Sequence, residues 1–178
     1  GARDEAVAET GLYLESLKNH QASDPRFLLR GMVGLHASMT LSDETLDDAF
    51  ELMEIFGVGA HVHVAEGIED VNATRKMCGL SPAGRLAKKG ILNPRSLAIH
   101  CVHVDEEDIK LIKKSGCYVV HNPSSNLNNA VGVAPFLSLC RGGVPVAIGT
   151  DGMSSGVAGD IKLASVLHKP GALDAQAA

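Results

Sequence analysis

The feature that most constrains the fold of this chain is a repeated unit, in which a short apolar run ends in a polar residue and a helical stretch follows. Five such runs occur, and they end at His36, His63, His100, His121 and Asp151. Short apolar runs bounded by turn residues are typical of buried strands. Because the runs alternate with helices, the pattern predicts an α/β fold with a parallel sheet, whose polar strand tips meet at one edge.

The stretches between the runs carry the signals of helix starts and stops. Helices are predicted over residues 3–18, 43–56, 69–78, 82–89, 105–115, 135–141 and 160–168. The second of them has Ser42 as its N-cap and Gly57 as its stop. Its apolar face is predicted to hold Leu46, Ala49, Phe50 and Met53.

The spacing of the units fits one particular parallel architecture. An eight-stranded (β/α) barrel of ~250 residues uses about 31 residues for each unit. A chain of 178 residues supplies about five to six such units, so a closed barrel would need about three more strands. The active site of a barrel lies at the carboxyl ends of its strands, where the polar tips of this chain are expected.

Composition excludes several classes of function. The net charge of −5 comes without a basic cluster, so we expect no binding to nucleic acid. No apolar run approaches the ~18 residues of a membrane span and the first residues do not form a signal peptide, so we expect a cytoplasmic protein without membrane contact. The widely spaced Cys78, Cys101, Cys117 and Cys140 are interpreted as reduced, mostly buried thiols rather than disulfides or a zinc site.

Four of the polar residues at the strand tips suggest a hydrolytic metal site. Imidazole and carboxylate groups, as in His63, Glu66, His100 and Asp151, are the ligands of catalytic zinc, and such a site keeps a position open for water. A single buried histidine is more often a core residue with satisfied hydrogen bonds. A metal site therefore requires that several of these strand tips lie close together, and a barrel would bring them together.

The remaining histidines are interpreted as lying outside the site. We expect His61 and His63 to point to opposite faces of their strand, so that only one of them faces the site. His20 and His168 are expected at the surface, and His103 is expected in a loop.

Two polar segments each have two possible roles. The segment 121–135 is interpreted as a loop, whose amides and hydroxyls either bind a polar substrate or satisfy the loop backbone. The segment 149–152 is either a common turn or a functional strand tip, because an Asp beside a Gly serves both purposes.

Four motifs together resemble the amidohydrolase superfamily. They are His63-Val64-Ala65-Glu66, Ala98-Ile99-His100-Cys101-Val102-His103, His121-Asn122-Pro123-Ser124-Ser125-Asn126 and Gly149-Thr150-Asp151-Gly152. The nearest branch is that of chlorohydrolases and aminohydrolases, which includes methylthioadenosine/S-adenosylhomocysteine deaminases, guanine deaminase and triazine hydrolases. Within it, Ser125-Asn126-Leu127-Asn128-Asn129 is similar to aminohydrolases linked to selenium metabolism.

This resemblance implies a fold and a domain boundary. Residues 1–178 would be a partial metal-dependent hydrolase domain, namely strands 4 to 8 of a (β/α)8 TIM-type barrel with their helices. The flanking β-sandwich and strands 1 to 3, which carry a His-x-His pair of metal ligands in this family, would be absent. A missing barrel segment or a homo-oligomer partner is therefore expected.

The resemblance also implies roles for individual residues. One divalent metal ion, expected to be zinc, would be bound by His63 and Asp151, and Asp151 would also accept the proton of the attacking water. His100 would polarise that water or the tetrahedral oxyanion, and Glu66 would protonate the ring nitrogen of the substrate as ammonia leaves. Three residues would bind the substrate: His36, His121 and Asn126. Around His36 the family has His-Ala-Pro, whereas this chain has His-Ala-Ser.

The resulting expectation is a zinc-dependent aminohydrolase that cleaves a C–N bond of a ring amine or a related small-molecule substrate. The alternative is an incomplete, non-catalytic barrel fragment or scaffold that needs a partner segment to bind metal. The open edges of a partial barrel would invite such a partner.

Overall fold

The five apolar runs form one parallel sheet in the computed structural model, which describes residues 1–169. The strands are paired in sequence order, each with the next. Their bounds are β1 (Val33–Ala37), β2 (Ala60–Val64), β3 (Leu97–His100), β4 (Tyr118–His121) and β5 (Val146–Ile148). The predicted α/β class and parallel sheet are confirmed.

Helices connect the strands, as the sequence predicts. Their bounds are α1 (Ala2–Ser23), α2 (Asp43–Phe56), α3 (Ile68–Cys78), α4 (Pro82–Lys88), α5 (Glu106–Ser115), α6 (Pro123–Asn128), α7 (Phe136–Arg141) and α8 (Val157–Leu167), and a 3₁₀ turn spans Ser38–Thr40. Within residues 1–169, none of these helices has the length and apolar character needed to cross a membrane.

One helix corrects the sequence interpretation. Residues 123–128 of the segment expected to be a loop form α6 instead. Pro123 stands at the start of the helix, where its fixed φ favours helical backbone and its missing N–H costs nothing. The sequence predicts a loop here because the segment is rich in Ser and Asn, which are more typical of turns than of helices.

The helix α2 shows how closely local signals set the element ends. The Ser42 hydroxyl accepts a hydrogen bond from the Thr45 N–H at 3.2 Å, and Gly57 closes the helix at φ 64°. The predicted apolar face is correct for Leu46 but not for Phe50, whose side chain is 40% exposed. Phe50 lies at the edge of that face.

The two faces of the sheet differ in whether helices cover them. One face packs under the helices, and the side chains of Val62, Ala98 and Val119 on it are 0% exposed. The opposite face carries both His61 and His63, whose ring centroids lie 6.2 Å apart. The expectation that these histidines point to opposite faces was wrong, because side chains two residues apart in a strand share a face.

The four cysteines are free thiols, as expected, but only half of them are buried. Burial raises the pKa of the Cys101 and Cys117 thiols, so these two stay protonated at neutral pH. Cys78 and Cys140 lie at the surface.

Candidate active site

Three strand tips of the sheet have strained backbone. Ala65 follows β2 at φ 48°, His100 ends β3 at φ 70°, and Asp151 follows β5 at φ 51°. Residues other than glycine rarely adopt this left-handed region, which costs about 1–3 kcal/mol each and recurs at functional sites. The strain therefore marks the carboxyl edge of the sheet as the candidate site.

The strain at His100 places its ring in the site. Regular alternation along β3 would put His100 on the helix-covered face together with Ala98. Instead, its ring stacks on that of His63, with the centroids 5.4 Å apart. The Nε2 atom of His100 then lies 3.5 Å from Oε2 of Glu66 and 4.0 Å from Oδ2 of Asp151. Four of the predicted site residues thus come together.

The helix α6 and the residue after it contact three of these four side chains. The Ser125 hydroxyl donates to Oδ2 of Asp151 at 2.6 Å, and the Asn129 amide donates to Oε1 of Glu66 at 3.4 Å. We call Ser125, Asn126 and Asn129 the α6 platform. The sequence interpretation missed Ser125 and Asn129, although their spacing of four residues in a polar helix places them on one face.

Asn126 is the third member of the platform. Its side chain is 1% exposed, and its Oδ1 accepts a hydrogen bond from Nδ1–H of His100 at 2.8 Å. In a neutral imidazole this leaves Nε2 as the nitrogen with the lone pair, and Nε2 is the atom that faces the two carboxylates. Asn126, predicted to bind substrate, therefore contacts a site residue in this structure.

Asp151 is held in its ionised form. The Ser125 hydrogen bond is the main cause that lowers the pKa of this carboxyl, and the Gly152 N–H, which donates to Oδ1 at 2.7 Å, acts in the same direction. The segment after β5 packs closely against the end of β4. A Cβ atom on Gly149 would therefore lie only 2.2 Å from Oδ1 of Asn122. Only glycine fits there.

His63 is oriented as a metal-binding histidine requires. Its Nδ1–H donates to the carbonyl oxygen of His36 at 2.9 Å, because a carbonyl can only accept. Nε2 of the neutral ring therefore carries a free lone pair, and such backbone contacts commonly fix the tautomer of metal ligands.

The residues of this site fit part of a zinc site. His63 and Asp151 offer one imidazole and one carboxylate, whereas catalytic zinc takes three protein ligands and a water. Among residues 1–169, no group of three or more His, Cys, Asp or Glu side chains has an arrangement that could hold a metal ion.

His36 lies at the rim of the site. Its Nδ1–H donates to Oγ1 of Thr40 at 2.8 Å, since the Thr40 hydroxyl itself donates to the Ala37 carbonyl at 3.0 Å. His36, Met39 and Glu66 line a small cavity of about 80 Å³ between the tips of β1 and β2. Because His63 and Glu66 also line this cavity, it opens onto the site.

His121 is buried at the end of β4, beside Phe136 and His168. Its side chain is 0% exposed and lies against Phe136, and its Nε2 is 3.1 Å from Nε2 of His168. Burial and the neighbouring His168 lower the pKa of His121 to about 4, so its ring is neutral at physiological pH. The expectation that His168 lies at the surface was wrong, because the end of α8 packs against β4 and leaves His168 only 7% exposed.

Known proteins with a similar sequence are deaminases. The chain is 37% identical over 154 residues to a 5-methylthioadenosine/S-adenosylhomocysteine deaminase of Dictyoglomus thermophilum. The aligned region covers 84% of this chain and 36% of that protein. The chain is also 36% identical over 154 residues to a 5'-deoxyadenosine deaminase of Methanopyrus kandleri, with the same two coverages. The chain therefore spans little more than a third of the length of these relatives.

The fold is similar to that of a solved enzyme structure. An adenosine deaminase from Xanthomonas campestris with bound zinc superposes with a TM-score of 0.81 and 31% sequence identity, over 92% of this chain and 38% of that one. The Amidohydrolase family matches residues 8–178. The resemblance drawn from the four motifs is thereby confirmed, and the chain belongs to the amidohydrolase family.

Proposed function

We propose that the protein containing this chain is a zinc-dependent aminohydrolase, which hydrolyses a C–N bond of a ring amine. The observation that carries the proposal is the convergence of Glu66, His100 and Asp151, with Nε2 of His100 lying between the two carboxylates. We further propose that residues 1–178 correspond to strands 4 to 8 of a (β/α)8 barrel. The parallel sheet in sequence order and the partial coverage of the relatives support this assignment.

In the proposed reaction, the two carboxylates exchange protons with the reacting groups. Asp151, ionised and held by Ser125, accepts a proton from the attacking water. Glu66, whose side chain is 29% exposed, acts in its carboxylic acid form and delivers a proton to the ring nitrogen of the substrate. Asp151 passes the proton that it has accepted to the leaving amine, and Glu66 takes back a proton from the hydroxyl group added by the attack, so that ammonia leaves and a carbonyl group remains on the ring. Nε2 of His100 faces the same space and orients the water through its lone pair.

His63 and Asp151 would hold the metal ion, together with ligands from outside the described residues. A zinc ion bound there supplies Lewis acidity, which makes water a stronger nucleophile at neutral pH. The free Nε2 lone pair of His63 supports this assignment. We propose that the other ligands come from a missing barrel segment or from a partner chain.

The substrate is proposed to be a small aminopurine compound, because the relatives are named for adenosine derivatives. His36 is well placed to contact such a substrate, since it lines the cavity next to Glu66. Asn126 is engaged by His100 and His121 is buried, so direct substrate contact by these two residues stays a prediction.

The competing proposal is a chain that cannot bind metal without a partner segment. The relatives do not favour it, because they are named as deaminases, and the absence of a group of three metal-binding side chains among residues 1–169 is compatible with both proposals. The competing proposal concerns completeness rather than chemistry, because the same residues would act once the partner segment is in place.

The experiment measures zinc content and ammonia release for the 178-residue chain and for a longer protein that also carries the missing strands. Adenosine, 5'-deoxyadenosine and 5-methylthioadenosine are the substrates. We expect the longer protein to bind about one zinc per chain and to release ammonia from at least one of them. A longer protein that holds zinc but releases no ammonia from any of these three compounds would contradict the proposed reaction.

A further inference from the structure

A buried carboxylate that the proposed chemistry does not use lies in the wall of the cavity between the tips of β1 and β2. Asp70 is in the first turn of α3, and its side chain is 3% exposed. Its Oδ2 accepts a hydrogen bond from the Ala65 N–H at 2.9 Å, and its Oδ1 accepts one from the Met39 N–H at 3.0 Å. The Thr74 hydroxyl donates a third to Oδ1 at 3.3 Å.

These hydrogen bonds join two loops that are far apart in the sequence. Met39 lies in the 3₁₀ turn that follows β1 and His36, and it is 31 residues from Asp70. Ala65 stands between the end of β2 and Glu66. Asp70 therefore links the turn that directly follows the strand of His36, the proposed substrate contact, to the loop that carries Glu66, the proposed acid.

The loop at Ala65 needs such a contact. Ala65 is fully buried and adopts φ 48°, a left-handed conformation that alanine disfavours. Strained residues persist only when their surroundings hold them in place. The backbone of Ala65 sets the direction in which Glu66 leaves the strand, so release of Ala65 would move the Glu66 carboxyl.

We propose that Asp70 is a positioning residue for the reaction, which keeps Glu66 and His36 in one geometry by holding the backbone N–H groups of Ala65 and Met39. This inference rests on the proposed aminohydrolase function. Asp70 acts through these two loops, since the contacts of its carboxylate run to Ala65, Met39 and Thr74.

The chemistry of the contact explains why a carboxylate is needed. Both oxygens of Asp70 face backbone N–H donors, so an amide at this position would place its NH₂ group against one of them. The N-terminal turn of α3 also favours a negative charge. Asp70→Asn thus changes few atoms but breaks one of the two loop contacts.

The first test is kinetic and uses the longer protein. Asp70→Asn should lower kcat by about 100-fold, because small misplacements of reacting groups have effects of this size. Adding Ala65→Gly should recover about tenfold or more of this loss, since glycine adopts the left-handed conformation without strain. A purely structural role predicts the opposite, because Ala65→Gly removes a buried methyl group and would destabilise the double variant further.

A matched control has a similar buried carboxylate away from the site. Asp108, in α5, is also 3% exposed and accepts hydrogen bonds from the Ser81 hydroxyl and the Asp105 N–H. Asp108→Asn should leave kcat within about twofold of the wild-type value. An Asp70→Asn variant that retains wild-type kcat, or a loss that Ala65→Gly deepens, would overturn the proposal.

The second test does not require turnover and uses amide hydrogen exchange in the 178-residue chain. Asp70→Asn should speed exchange at Ala65 or Met39, or at both, by about tenfold or more, while the sheet amides keep their protection. Should this variant fail to fold, Asp70→Ala serves in its place, because it introduces no opposing N–H. Unchanged exchange at both amides would overturn the positioning role, whereas an inactive wild-type protein with faster exchange in the variant would reject only the proposed reaction.

Discussion

The helix-covered face of the sheet and its carboxyl edge are made from the same five strands, but they differ in polarity and in the regularity of their backbone. On the face, Val62 and Val119 are 0% exposed and follow regular alternation. At the edge, His100 and Asp151 have strained backbone, and the side chain of Asp151 is 42% exposed. The face is apolar and regular, whereas the edge is polar and irregular.

This difference shows how one sheet combines stability with chemistry. Full burial of a single Val or Leu side chain contributes about 1.5–3 kcal/mol, and a strained residue costs about 1–3 kcal/mol. The many buried side chains of the face offset the few strained residues at the edge. Substitutions on the face should therefore change the free energy of unfolding, and substitutions at the edge should change turnover.

The largest effect is expected at the edge, from Asp151→Asn. The amide keeps the shape of the side chain but cannot accept the proton of the attacking water, and it is a poor ligand for zinc. We expect kcat of the longer protein to fall by roughly 10³-fold, with a far-ultraviolet circular dichroism spectrum like that of the wild type.

The control for Asp151→Asn is Asp47→Asn, which also removes one carboxylate. The Asp47 side chain is 64% exposed and pairs with Lys89 at 2.8 Å, and it belongs to helix α2 rather than to a strand tip. This variant should keep wild-type turnover. Wild-type kcat in Asp151→Asn would reject the role of Asp151.

In the apolar core that this face forms with the helices, Leu86→Ala should have the largest effect on stability. Leu86 lies in α4 and is 0% exposed, so truncation leaves a cavity and should lower the free energy of unfolding by about 2–5 kcal/mol. The contrasting variant is Tyr118→Ala in β4, whose side chain is 48% exposed and should cost less than about half as much. Urea unfolding of the 178-residue chain measures both, and equal losses would contradict the difference between the two faces.

The same contrast explains what the sequence could predict. The strands, most helices and the four strand-tip residues follow from local patterns, because alternation and capping act over a few residues. The contact of Ser125 with Asp151 joins residues 26 apart, and the burial of His168 depends on how α8 packs. Neither leaves a local signal. His61 differs from these two cases, because side chains two residues apart in a strand share a face and regular alternation therefore places it beside His63.

A third prediction concerns acid and the pair formed by His121 and His168. The pKa of His121 is lowered to about 4 in the folded chain by burial and by His168, whereas an unfolded histidine has a pKa of about 6.5. Below pH 6.5 the unfolded chain therefore binds the proton first. The stability contributed by the neutral ring is present above that pH and is lost as the pH falls towards 4, up to about 3 kcal/mol.

Urea unfolding at pH 7 and at pH 4.5 checks this prediction. His121→Phe keeps an aromatic ring against Phe136 and should lose much less stability between the two pH values than the wild type. His20→Gln, which removes an exposed histidine of α1, should behave like the wild type. Equal pH dependence of His121→Phe and wild type would show that the buried ring does not drive the acid effect.

The smallest effect is expected from the α6 platform, through Ser125→Ala. The Ser125 hydroxyl is the main cause of the lowered pKa of Asp151, so its removal should raise that pKa towards the ordinary value and leave the carboxylate less firmly oriented. A single hydrogen bond to a charged group is worth about 1.5–3 kcal/mol, and part of it is replaced by water at this half-exposed site, so kcat should fall about tenfold.

The matched control is Ser124→Ala, because the contact of Ser124 with Asp160 is made by its backbone N–H at 3.1 Å rather than by its hydroxyl. Turnover and a carbon NMR titration of Asp151 in the metal-free chain measure the two effects. If both serine variants left kcat and the Asp151 titration unchanged, the platform would be a packing element of the edge and not part of its chemistry.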